Sequence, residues 1–326
     1  MIFINKFLYN NMKKNMKKNI FFLKISEGFG NKILNLIIGL YIKYINNAEF
    51  NTIIIKSKHE TNIDKNIIDI FPKIKEFVNI HNNWDKVEKH FQGKERNEIN
   101  CNTIKKISDL KFSFEKVIFI KKPYNCYFYI YDIFNKLPES YKNIFEINAS
   151  LIDNKIKVLT LDDYIVVHIR YGDKLKLSLN KENRFIYLMY TPEYYINMII
   201  NLLKKKNNKK IYIITDDIKI VTNFIMKKIK SSNVILLDIP FFESFYILSK
   251  ATYIVLSISS FSILATLINK KLKTAYYLER PLDISKYAIG EESIIKNNDK
   301  VKIIDDKKYI LNYNFKLMLK MIKSKK

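Results

Sequence analysis

Apolar and polar positions change rhythm repeatedly along the second half of the chain. Residues 164–169 (YIVVHI) are almost unbroken in apolar character, the pattern of a strand buried on both faces. Residues 191–206 (TPEYYINMIINLLKKK) switch to the helical period, with Thr191 as N-cap, Pro192 in the first turn and lysines in the last. The alternation continues with a strand over 210–215, a helix over 218–230, a strand over 233–238, a helix over 242–250 and a strand over 252–257. A helix from Phe261 and a strand over 273–278 complete it. The first half follows the same rhythm more loosely: strand 20–25, helix 30–45, strand 51–56, helix 61–70 and a strand near 116–120. Residues 80–112 read as polar and irregular, and 124–134 as either strand or helix. Strands alternating with helices of this length predict βαβ units, hence an α/β chain with parallel sheets.

Length supports two such units, because 326 residues are many for one core. The expected division is an appendage over 1–15, an N-terminal α/β domain over 16–155, a C-terminal Rossmann-like domain over 156–305, and a last helix over 306–326 packing back across both. Two open α/β domains predict a cleft, with ligands at the carboxyl ends of the strands.

Composition changes this picture less than it first suggests. With 48% hydrophobic and 14% aromatic residues the chain buries real cores, which excludes global disorder. The formal charge of +25 invites an anionic partner such as nucleic acid. Yet only four of the basic residues are arginine, and isoleucine, asparagine and lysine crowd the whole chain. That is the signature of a biased base composition, so solvated surface lysines outweigh a nucleic-acid groove, which leans on arginine. A basic, non-catalytic phosphate-binding module stays as the alternative class. Cys101 and Cys126 allow at most one disulfide, and neither has metal-ligand spacing. The first 23 residues make a poor signal peptide, and the run 253–268 is too short and serine-broken to span a bilayer. The expectation is a cytoplasmic protein, with peripheral contact to a membrane surface left open.

Rare residue types mark the chemistry. VVHIRYGDK (166–174), IYIITDD (211–217) and the stretch from Asp238 to Ser260 set His168, Arg170, Asp173, Asp216, Asp238 and Ser257, Ser259 and Ser260 along one sheet edge. Arginine offers a planar donor fork for phosphate oxygens. Serines and free N–H groups at a helix N-terminus complete an anion site, and Asp238 suits the N–H edge of a guanine. Together they read as a nucleotide-diphosphate pocket that uses arginine and a helix dipole in place of a metal. Plainer readings stand beside each: a buried structural histidine, a helix N-cap at Asp216-Asp217, and a capped turn at Ser257–Ser260.

These motifs, in this order, resemble the fucosyltransferase superfamily. His168-Ile169-Arg170-Tyr171-Gly172-Asp173 is similar to its H-x-R-R-x-D. SEGFGNKILNLIIG (26–39) resembles the G-G-x-G-N-Q opening of the α-1,2-fucosyltransferases (glycosyltransferase family 11), and SISSFSILATL (257–267) resembles their N-S-[ST]-[FY]-S-W-W segment. The Gly172-Asp173-Lys174 continuation also looks like the α-1,6 enzymes, and Glu27-Gly28-Phe29 like some protein O-fucosyltransferases. The resemblance implies a GT-B-like fold, GDP-β-L-fucose as donor, no essential metal or other cofactor, and inversion to an α-fucoside on a glycan or glycolipid acceptor. It implies that Arg170, Ser259 and Ser260 hold the diphosphate and that Asp238 with His168 holds guanosine. Lys174, Asp216, Ser257 and Phe261 fall in the same donor site. Gly28, Gly30 and Asn31 would shape the opposite wall, where Glu27 is preferred to Asp173 as the base that takes the acceptor proton. Asp173 could instead brace Arg170, and Glu27 could be a solvated turn residue. The chain departs from the family pattern at Tyr171 (second arginine), Ile258 (asparagine), Ile263-Leu264 (tryptophans) and Lys32 (glutamine). An inactive relative and a different GDP-sugar therefore remain open.

Overall fold

The computed structural model describes residues 19–25, 29–54, 67–80, 96–100, 111, 117–121, 130–180, 188–206, 208–278, 299–304 and 307–324. Glu27, Gly28, residues 1–15 and both cysteines lie outside the described residues. The chain divides into two compact units: Met1–Asn62 with Phe71–Glu146, and Ile63–Ile70 with Ile147–Lys326.

The first unit is built on β1 (Asn19–Ile25), α1 (Phe29–Asn46), β2 (Ala48–Ile54), β3 (Asn79–Ile80), β4 (Arg96–Asn100), β5 (Val117–Lys121) and α2 (Ile130–Lys136). Its five strands run in the order β3-β2-β1-β5-β4. Every pair is parallel, with seven residues of β1 in register with β2 from Asn19–Ala48 to Ile25–Ile54. Helix α1 buries Ile33, Leu36, Ile37 and Leu40. It turns into β2 through Asn47 alone, at φ 46°. Asparagine tolerates this left-handed helix-terminating conformation better than most residues. Eight residues before that turn, Gly39 lets α1 lie against β2: a Cβ there would fall 2.2 Å from Phe50 Cζ. Segment 80–112, expected to be irregular, contributes β4. Its sequence RNEIN hides a strand because β4 is an edge pairing only with β5, and edges are habitually polar. The ambiguous stretch 124–134 ends in a helix, α2.

The second unit includes a short helix over Asn154–Leu159 that the sequence pattern does not announce. It continues with β6 (Ile165–Ile169), α3 (Gly172–Leu177), α4 (Pro192–Lys205), β7 (Ile211–Thr215) and α5 (Ile218–Phe224). There follow β8 (Val234–Leu237), α6 (Phe241–Lys250), β9 (Tyr253–Val255), α7 (Ser260–Ile268), β10 (Thr274–Leu278), β11 (Val301–Ile304) and α8 (Phe315–Lys323). The six strands are parallel in the order β11-β10-β9-β6-β7-β8. Read from the β8 edge this is 3-2-1-4-5-6, the strand order of dinucleotide-binding sheets. The order reverses between β6 and β9, so the crevice expected to take a ligand opens at their carboxyl ends.

All five residues of β6 are buried, as its unbroken apolar run requires of a strand covered on both faces. The caps of α4 stand as read: Thr191 accepts from Tyr194 N at 3.3 Å, Pro192 starts the helix and Lys204 and Lys205 end it. The C-terminal segment differs from the expected single helix over 306–326. Two 3-10 turns (Lys307–Tyr309 and Leu311–Tyr313) precede α8. Those turns lie along residues 189–191 by backbone bonds, Thr191 N to Tyr309 O at 2.7 Å and Leu311 N to Met189 O at 2.8 Å. Helix α8 then packs against α3, and its Met318 and Met321 are fully buried. No helix among the described residues is long and apolar enough to cross a membrane.

Candidate active site

The last β6–β9 pair is Val167 with Val255. One residue beyond, His168 Nδ1 lies 2.7 Å from Ser257 Oγ, joining the two strands at the point where strand order reverses. Both residues are buried. The imidazole rests on the Phe261 ring with centroids 5.5 Å apart, and Phe261 packs on Phe245 at 5.3 Å. Burial first, then the positive charges of Arg170 and Lys174, push the His168 pKa down to about 3. His168 is therefore a neutral hydrogen-bonding group at physiological pH and adds no charge to an anion site.

Arg170 leaves β6 with its side chain partly exposed and sits between two carboxylates. Its Nη2 donates to Asp173 Oδ1 at 2.6 Å and its Nη1 meets Asp216 Oδ2 at 2.6 Å. Asp216 Oδ1 also accepts the backbone N–H groups of Tyr171 at 2.9 Å and Gly172 at 3.1 Å. These are the first amides of α3, whose N-cap residue provides no side-chain cap. Burial pushes the Asp216 carboxyl up; Arg170 and the Tyr171 N–H pull it back, Asp173 adds to the rise, and the Gly172 N–H opposes it. Adjacent Asp217 instead caps α5, accepting from Ile220 N at 3.1 Å. The pair read as one possible N-cap thus divides its labour.

Lys174 donates its ammonium to the Ile258 carbonyl, tying α3 to the turn after β9. That turn is braced internally by Ser262, whose hydroxyl lies 3.4 Å from Ser257 O and 3.3 Å from Ser259 O. Ser259 stands at the N-cap of α7 in extended backbone, and its side chain makes no capping hydrogen bond. No side chain caps the start of this nine-residue helix, where Ser259 and Ser260 are half-buried, and the positive end of a helix dipole attracts an anion.

Of the residues nominated from the sequence, the structure joins His168, Ser257 and Phe261 in one cluster and Arg170, Asp173 and Asp216 in another. Lys174 and the α7 N-terminus lie at the same edge of the sheet. Asp238 follows β8, separated from β6 by β7, and is exposed. Gly30 and Asn31 form the first turn of α1 in the other unit. Sequence reasoning missed Ser262 and Phe245; the five-residue spacing from Ser257 to Ser262 across a helix start was the available signal.

The departures from the family pattern have local causes. Tyr171 points inward: it is completely buried, donates to Tyr190 O at 2.9 Å, and meets Tyr195 edge-on. Ile263 and Leu264 are fully buried, and Ile258 contributes its carbonyl to Lys174. Among the described residues no group of His, Cys, Asp and Glu is arranged to hold a metal ion. An open groove of about 560 Å³ along α8, lined by Asn314, Lys316, Leu317, Leu319, Lys320 and Lys323, contains none of the nominated residues.

The family described as glycosyl transferase family 11 matches residues 45–298. No curated protein matches the chain. The crystal structure of POFUT1 in complex with GDP superposes with a TM-score of 0.51 at 10% identity, covering 79% of this chain and 97% of that one. The fucosyltransferase NodZ from Bradyrhizobium gives 0.46 at 12% identity, covering 79% and 94%. At such identity the POFUT1 likeness shows a shared fold, the GT-B-like α/β class expected from the sequence.

Proposed function

Because the chain belongs to glycosyl transferase family 11 and is a glycosyltransferase, we propose that it transfers L-fucose from GDP-β-L-fucose, with inversion, to a hydroxyl of a glycan or glycolipid acceptor in α-1,2 linkage. The observation that carries this reading is the convergence at the β6/β9 crevice. Arg170 follows one strand, the uncapped start of α7 follows the other, and the His168–Ser257 bond holds the two together. Such a crevice is where open parallel sheets bind nucleotides.

The chemistry assigns roles to these groups. As the sugar–phosphate bond breaks, charge builds on the departing diphosphate. Arg170 and the N-terminal amides of α7 neutralise it from fixed positions. Arginine offers five N–H donors, and the two carboxylate contacts leave donors for phosphate oxygens. His168 contributes as a neutral partner beside the base or ribose, and Asp238 takes the guanine N–H groups. Glu27 removes the acceptor proton, while Asp173, bonded to Arg170, acts as its counter-ion. GDP-fucose and GDP-mannose incubated with a panel of glycan and glycolipid acceptors test the reading. The expected product carries α-1,2-linked fucose by nuclear magnetic resonance. Transfer from GDP-mannose alone, or a product with another linkage, would remove the corresponding part.

A further inference from the structure

We propose that Asp216 is the positioning residue for the phosphate-binding arginine: one carboxylate sets both the direction of the Arg170 guanidinium and the backbone path through Tyr171 and Gly172. The inference rests on the reading that Arg170 binds a diphosphate. It replaces the expectation that Asp216 itself contacts the donor.

Each oxygen of Asp216 is engaged elsewhere. Oδ1 receives the amides of Tyr171 and Gly172, and Oδ2 receives Arg170 Nη1 at 2.6 Å. A carboxylate so occupied has little left to offer a ligand, and an anionic ligand would be repelled by it. The close approach is built into the chain at position 172. A Cβ there would lie 2.0 Å from Asp216 Oδ2 and 2.7 Å from its Cγ, so a side chain at 172 and this clamp exclude each other. One of six glycines in the chain stands at this position.

The two carboxylates on Arg170 are unequal. The Asp173 side chain is 47% exposed and sits three residues on, in the first turn of α3, whereas that of Asp216 is 22% exposed and follows the neighbouring strand. Exposed ion pairs are weakened by solvent and exchange readily. The pair from β7 is shielded and anchored by two backbone bonds. An arriving phosphate therefore displaces Asp173 from Nη2, while Asp216 keeps Nη1 and with it the plane of the guanidinium. Without Asp216 the arginine would fold onto Asp173 in the first turn of α3. Pre-setting the planar fork avoids ordering it at the moment of binding.

The test compares GDP with GMP, which differ by the β-phosphate, by calorimetric titration of the wild type, Arg170→Ala, Asp216→Asn and Asp173→Asn. In Asp216→Asn the amide oxygen still accepts from Tyr171 and Gly172, but its NH2 faces Nη1, donor against donor. Asp216→Asn is expected to lose GDP affinity by roughly ten-fold, the effect of one charge-assisted hydrogen bond, with GMP affinity and melting temperature near wild type. Asp173→Asn is expected to raise GDP affinity, because no carboxylate then competes with the phosphate for Nη2; a loss equal to that of Asp216→Asn would contradict the assignment. Equal weakening of GMP and GDP by Asp216→Asn would reduce Asp216 to a merely structural role, and wild-type GDP affinity in that variant would overturn the inference outright. If Arg170→Ala keeps the wild-type preference for GDP over GMP, the diphosphate reading fails first and takes this inference with it. The unmodified protein offers a second measurement, because a chain with four arginines has a sparse guanidinium spectrum. Slow rotation of the Arg170 Nη groups, assigned with Arg170→Lys, is expected both free and GDP-bound; a freely rotating guanidinium in either state would contradict the clamp.

Discussion

Acidification should destabilise the C-terminal unit through one residue. His168 is the only histidine in that unit, the other three (His59, His81 and His90) belonging to the N-terminal one. Burial holds its folded pKa near 3, against an ordinary value of 6.5 that the unfolded chain recovers. Below pH 6.5 the unfolded state therefore takes up a proton that the folded state refuses. Stability is fully present above that pH and is lost as the pH falls from 6.5 towards 3. The slope approaches 1.36 kcal/mol per unit, so the loss between about pH 7 and pH 5 comes to about 2 kcal/mol. Urea unfolding followed by the near-ultraviolet dichroism of the buried tyrosines reports mainly this unit, because eight of the nine buried tyrosines among the described residues belong to it. The wild type should lose about 2 kcal/mol more than His168→Asn over this range. If the variant loses as much as the wild type, the ring is not held neutral and the account of the β6–β9 bond to Ser257 is wrong.

Two further substitutions probe how each unit is packed. Gly39→Ala places a methyl 2.2 Å from Phe50 Cζ and should destabilise the N-terminal unit by about 1–3 kcal/mol as overpacking does; Phe50→Leu in the same chain should recover part of it in thermal unfolding. Tyr171→Arg restores the family's second arginine in the motif. Because position 171 faces the interior, it should lower the melting temperature without tightening GDP; a variant that folds normally and binds GDP more tightly would show that the position faces the ligand.

How much was legible in the sequence depends on what each residue's neighbours could reveal. The continuous apolar run of β6 and the capped amphipathic pattern of α4 are local signals, and both elements formed where expected. β11 was missed because its four residues, VKII, form an edge strand too short to establish a period, and β4 because an edge strand can be polar. Without β11 the six-strand order is incomplete, although β10-β9-β6-β7-β8 already puts the reversal between β6 and β9. At the site, residue types were readable but directions were not. Asp216 and Asp217 are neighbours of identical chemistry, yet one turns to Arg170 and the other caps α5. Only the Gly172 backbone, brought close by the β6–β7 pairing, decides which is which. Likewise Tyr171 reads in sequence as a lost charge, whereas its surroundings make it part of a tyrosine-rich interior.

The most direct test of the central claim is calorimetric titration of GDP, UDP and ADP into the wild type and Arg170→Ala. The account predicts that GDP binds the wild type more tightly than UDP or ADP and that Arg170→Ala loses most of that binding. Equal affinity for the three nucleotides, or undiminished GDP binding by Arg170→Ala, would contradict it.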